Sequence, residues 1–180
     1  MQENGAKAPP TLDEDTIAFA GRVFQYARGG HAEELGELLA MGLPPNLRND
    51  KGDTLLMLAS YHGHEAAARA LLERGADPEI ANDRGQTPLA GAAFKGDAAT
   101  VRLLLERGAA VDGAGEAGRT ALMVAAMFNR AEIVELLLAH GADPERRDAQ
   151  GLTAREAAEA MGAPDTPLQL ARAARGAPGR

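Results

Sequence analysis

Apolar stretches rich in Ala and Leu recur along this chain at a fixed interval, each opened by a threonine. Thr54, Thr87, Thr120 and Thr153 lie 33 residues apart, and each follows a glycine two positions earlier: Gly52, Gly85, Gly118 and Gly151. A threonine in front of an apolar run is a helix N-cap signal, so the pattern predicts a short first helix, for example Leu55 to Tyr61. A second ladder runs Gly30, Gly63, Gly96 and then Asn129, again 33 apart. Gly and Asn are the residues that tolerate the left-handed backbone that stops a helix. A second helix follows, as in Ala98 to Arg107, where Val101, Leu104 and Leu105 form one apolar stripe. It ends at a third ladder, Gly42, Gly75, Gly108 and Gly141. An extended, turn-rich link such as 76–85 then leads to the next unit.

Two helices this short cannot bury their own apolar faces. Copies stacked on one another can, with each unit touching only its neighbours. The predicted fold is therefore all-α: a solenoid of helix-turn-helix units joined by short β-hairpin-like loops. The expected organisation is an atypical N-terminal capping unit at about 16–48, units at 49–81, 82–114 and 115–147, and a C-terminal cap at 148–175 with a last helix near Leu168–Ala174. Residues 1–15, with Pro9-Pro10 and Asp13-Glu14-Asp15, read as a disordered tail, as do 176–180.

The tracts Gly85-Gln86-Thr87-Pro88-Leu89, Gly63-His64 and Gly75-Ala76-Asp77 resemble the ankyrin repeat. That resemblance spans most of the chain and is nearest to short bacterial members of the family. It departs in two places. The family's usual His after Pro-Leu is replaced by Met57, Ala90, Met123 and Glu156, so apolar packing is expected where a hydrogen bond between repeats would be. The link 109–115 lacks the Asp-Pro pair and is expected to be the loosest.

Composition narrows the chemistry. The 180 residues carry 19 Lys+Arg against 26 Asp+Glu, a net charge of −7, which argues against a nucleic-acid or anionic-membrane surface. With no Cys there is no disulfide, thiolate ligand or Cys nucleophile. No apolar run could span a membrane, no secretory signal precedes residue 16, and a cytoplasmic monomer is expected. Gly113–Gly118 matches GxGxxG, but no buried strand precedes it, so it reads as a repeat turn rather than a dinucleotide loop. His62-Gly63-His64-Glu65 follows the repeat, and His140 beside Gly141 suits a helix carboxyl end, so no metal is expected. Ser60, the one serine, takes a packing position aligned with Ala93 and Ala126. Glu156 and Glu159 read as a solvated face. No catalytic residue and no cofactor are expected.

What the ankyrin resemblance implies is a concave face lined by turn tips and first-helix ends. There the sequence places Asp50, Lys51, Asp53, Asp83, Arg84, Gln86, Glu116 and Arg119 at the tips, and Arg28, Gly29, Tyr61, His62, Phe94, Lys95, Met127 and Phe128 at the helix ends. Of six aromatics in the chain, three fall at this helix-end position. A row of rings with a charged rim has the anatomy of a protein-binding hot spot; the competing expectation is that the rings pack on the next repeat. Phe19, Phe24 and Tyr26 are expected in the core of the cap. The expected function is a non-enzymatic interaction module that binds a folded partner protein. An enzyme or nucleotide-binding protein, and a purely structural spacer, are the alternatives.

Overall fold

The computed structural model describes residues 14–176. Among them are ten helices and no strand, in five consecutive pairs: α1 (Glu14–Gly29) and α2 (Ala32–Ala40), α3 (Leu55–His62) and α4 (Glu65–Glu73), α5 (Pro88–Lys95) and α6 (Ala98–Glu106), α7 (Ala121–Met127) and α8 (Ala131–Ala139), α9 (Ala154–Ala160) and α10 (Thr166–Gly176). The first helices pack in one layer, α1 on α3 on α5 on α7 on α9, and the second helices in another, α2 on α4 on α6 on α8. α10 closes the stack against α9, α8 and α7.

The local chemistry is that of the repeat. Thr54, Thr87, Thr120 and Thr153 each cap a first helix by accepting from the backbone N–H three residues on, at 3.0–3.3 Å. In the last unit Glu156 returns the bond, its Oε2 accepting from the Thr153 N–H at 2.8 Å, so a capping box stands where the family has a histidine. The Thr153 backbone and then its hydroxyl hold the Glu156 carboxyl below its ordinary pKa. Gly30, Gly63 and Gly96 have φ of 74°, 76° and 82°, and Asn129, at 54°, is the single non-glycine with positive φ among the described residues. Asn129 also fastens the start of α10, where its Oδ1 accepts from the N–H groups of Asp165 and Thr166 at 3.0 and 3.1 Å.

Small residues let the first helices approach closely. Ala59, Ala92, Ala93, Ala125, Ala126 and Ala158 are fully buried, and Leu55, Leu56, Leu89 and Leu122 fill between the layers. Met57, Ala90 and Met123 are buried at the positions expected to pack. Ser60 is also buried and its hydroxyl has no hydrogen-bond partner among the described residues.

The turns carry their own ladder. Asn49 Oδ1 accepts from Lys51 and Asp53 N–H, Asn82 Oδ1 from Arg84 and Gln86, and Asp148 Oδ1 from Gln150 and Leu152, all at 2.9–3.1 Å. The fourth place in that register is Gly115. Its N–H bonds the Gly85 carbonyl at 3.3 Å, and a Cβ there would sit 2.4 Å from Gly85 Cα. The middle glycine of the GxGxxG tract is thus required by two turns in backbone contact.

Three expectations are corrected. Glu14 and Asp15 belong to α1 and not to a tail; acidic side chains in a first turn favour the helix amino end. The remaining tail residues, 1–13 and 177–180, lie outside the described residues. α10 begins at Thr166, before Pro167, since a proline in the first turn forfeits no helical bond. Phe19 is 38% exposed under the Arg22 guanidinium, because α1 has a neighbouring unit on one side only; Phe24 and Tyr26 pack against the core.

Candidate functional site

The ends of α3, α5 and α7 face the turn tips across a groove with two connected parts. The first, about 180 Å³, is bounded by Arg28, Lys51, Asp53, Tyr61, His62 and Arg84, with Met57 and Leu58 in its floor. The second, about 290 Å³, lies between Arg84 and Arg119 on one side and Tyr61, Phe94 and Phe128 on the other, over Ala90 and Val124. Tyr61, Arg84 and Gln86 belong to both. Gly91 brings α5 close to this wall: a Cβ there would meet Met57 Sδ at 3.2 Å and the Tyr61 backbone at 3.5 Å.

The rings form a continuous row. Tyr61 and Phe94 stack with centroids 5.1 Å apart and planes 10° from parallel. Phe94 and Phe128 meet edge to face at 4.6 Å and 81°. The change of geometry has a cause in register. Tyr61 and Phe94 occupy one repeat position, whose next occupant is Met127; Phe128 is one residue later, outside α7. Both arrangements are favourable for ring pairs. The rings therefore contact one another, as the packing alternative requires, yet Tyr61 and Phe94 are only half-buried and Phe128 is 39% exposed.

The charged residues divide into those the scaffold uses and those it does not. Asp53 is buried, with Oδ1 accepting from Asn82 Nδ2 at 2.8 Å and Oδ2 from Asn49 Nδ2 at 3.2 Å. Arg119 faces the buried Asp148 carboxylate at 3.7 Å and Gln150 Oε1 at 3.3 Å, so reversing its charge would strand a buried acid. Asp83 pairs with Arg48 at 3.3 Å. Together with Glu116 they edge a further depression of about 590 Å³ between the second and third turn tips. Gln86 Oε1 accepts from Asn82 Nδ2 at 3.1 Å. Asp50 and Lys51 are exposed at the first tip, and Lys95 is exposed over Gly63. His62 is exposed as a residue, yet partial desolvation of its ring is the largest of four influences holding its pKa below the ordinary imidazole value. Positive charge from His64, Arg28 and Lys95 pushes the same way.

Of the residues expected at the site, Lys51, Asp53, Tyr61, His62, Arg84, Gln86, Phe94, Arg119, Met127 and Phe128 line the groove; Asp50, Asp83, Lys95 and Glu116 stand around it. Arg28, which the repeat register puts at the same helix end 33 residues before Tyr61, lines the groove too, as does Asn82, which was not among the expected residues. The other histidines serve the scaffold: His64 Nε2 donates to the Arg28 carbonyl at 2.8 Å, and His140 Nδ1 to that of Leu136 at 2.8 Å. Among the described residues no three His, Cys, Asp or Glu side chains are placed to share a metal ion, and no helix is long and apolar enough to cross a membrane.

A two-layer stack of helix pairs with a capped 33-residue period defines the class of protein, and comparison agrees. Residues 26–92 match the family described as ankyrin repeats (many copies), and residues 74–148 that described as ankyrin repeats (3 copies). The chain belongs to the ankyrin repeat family. It is similar to an ankyrin repeat protein of Pseudomonas aeruginosa, with 57% identity over 60 residues, 33% of this chain and 35% of the relative. The matched stretch thus spans about a third of that relative's length. Ankyrin repeats are in general non-enzymatic protein–protein interaction modules.

Proposed function

We propose that this chain is a binding module that grips one folded partner protein through the groove along α3, α5 and α7, as an adaptor, accessory factor or inhibitor. The observation that carries this reading is the row Tyr61–Phe94–Phe128. Three of the chain's six aromatics lie side by side across three units, half-buried and open to the groove. Aromatic rings and arginines are enriched in protein interfaces, and the stack is held elsewhere, by fully buried alanines and leucines. The scaffold accounts for Asp53, Arg119 and Asp148, which leaves the rings together with Lys51, Arg84 and Lys95 for a visitor.

The test is affinity capture from the native host with the full chain and with a Tyr61→Ala/Phe94→Ala/Phe128→Ala variant. A discrete protein retained by the first and lost by the second is the expected result. Equal retention by both, with equal melting curves, would remove the groove from the account.

A further inference from the structure

We infer that the groove takes an acidic segment of its protein partner, one that presents carboxylates on either side of an apolar side chain. This rests on the reading of the groove as the partner-binding face and goes one step further, to the partner's chemistry.

Charge left over along the groove points to that chemistry. Elsewhere six arginines are neutralised, while Arg22, Arg74, Arg130, Arg146 and Arg172 make no ion pair among the described residues. Arg69 pairs with Glu65, Arg102 with Glu132, Arg107 with Glu73 and Arg155 with Glu159 on the helices, and Arg48 with Asp83 and Arg147 with Glu156 at the turns. Of the cations around the groove, Arg119 faces Asp148 and four others are left over. Arg28, Lys51, Arg84 and Lys95 make no ion pair and no side-chain hydrogen bond among the described residues, in a chain with seven more acids than bases. Three of these cations line one continuous surface with the apolar floor at Met57, Leu58 and Ala90, and Lys95 adjoins Phe94. The groove's own acids are engaged: both oxygens of Asp53 accept from asparagine amides, and Asp148 faces Arg119. Unpaired cations beside exposed ring edges call for carboxylates flanking an apolar anchor. Arg28 and Lys95 also act on His62, after desolvation and His64, in holding its pKa down.

A phosphate polymer fits less well. Asp50 and Glu116, exposed at the flanking tips, would repel a continuous anionic backbone that runs past the groove. One face of Phe94 is already covered by Tyr61 at a 10° interplanar angle, which removes that face as a platform for a base.

The test is selection of a phage-displayed library of random peptides, about 16 residues long, on the full chain. Enriched peptides are expected to be net acidic with at least one Leu, Ile, Phe or Trp. They should lose roughly tenfold in affinity on a Lys51→Glu/Arg84→Glu double variant that melts like the parent. The same peptides resynthesised with Gln and Asn for Glu and Asp should weaken as much. Neutral or basic winners, winners indifferent to the double variant, or no winners at all would overturn the acidic segment. If neutral or basic winners are nonetheless lost on Tyr61→Ala/Phe128→Ala, the groove still binds and only the charge assignment falls; if they are kept, the groove reading falls with it. Fluorescein-labelled oligo-dT held more tightly than the peptides, and released by the double variant, would overturn the protein assignment in favour of nucleic acid.

Discussion

The two helix layers treat charge differently. In the second-helix layer several arginines are neutralised within a helix or across to the next unit, as in Arg69–Glu65 and Arg107–Glu73, though Arg74 is not. Along the groove edge of the first-helix layer Arg28, Lys51, Arg84 and Lys95 stand together without an ion pair beside half-exposed rings, Arg119 alone being paired. Exposed pairs contribute little to stability, about 0–1 kcal/mol each, so the second layer's arrangement suits an inert solvated surface. The groove retains electrostatic and apolar surface that the fold does not consume. That contrast separates scaffold from binding face more sharply than hydrophobicity alone, since both layers bury leucine.

The contrast can be broken or sharpened by substitution. The largest effect is expected from Leu104→Ala, which empties a fully buried site in α6. It should cost about 2–5 kcal/mol in chemical denaturation and damage both layers together, because each unit is held only by its neighbours. Tyr61→Ala or Phe128→Ala should instead cost about 1–3 kcal/mol of partner affinity by calorimetry while the circular dichroism melt survives. Arg69→Ala, in an exposed pair with Glu65, should move stability by no more than about 1 kcal/mol and leave partner affinity alone; a loss of binding there would erase the difference between the layers.

The smallest effect concerns pH. A histidine whose folded pKa lies below its unfolded value of 6.5 binds its proton more weakly when folded. Its contribution therefore lowers stability as pH falls below 6.5 and levels off once the folded form is also protonated. Denaturation of the parent and His62→Asn between pH 7.5 and about 5 should show the parent losing slightly more stability on acidification. Equal slopes would contradict the cause assigned to His62.

Much of this was legible in residue order. The threonine caps, the left-handed ladder and even the substitution of Asn129 for glycine follow from local chemistry, which a 33-residue register repeats four times. What was not legible depends on pairing between units. Asp53 reads as an exposed tip beside a glycine, yet its carboxylate is buried because Asn82, 29 residues later, folds over it. Arg119 reads as a free rim charge until Asp148 is brought beneath it. Gly115 reads as part of a decoy fingerprint, and its necessity lies in the backbone of Gly85. Phe19 reads as cap core, but which side of α1 lacks a neighbour is a property of the stack and not of the helix. The row of rings was foreseen as a set of positions; that one ring turns edge-on to its neighbour follows from a one-residue offset whose result only packing reveals.

The most direct trial of the account is site-specific photo-crosslinking in the native host. A photoreactive residue at Met127, in the groove wall, is compared with one at Arg102, exposed on α6. Adducts to a discrete protein from position 127 and none from 102 are the predicted result. The same protein captured from position 102 and not from 127 would contradict it.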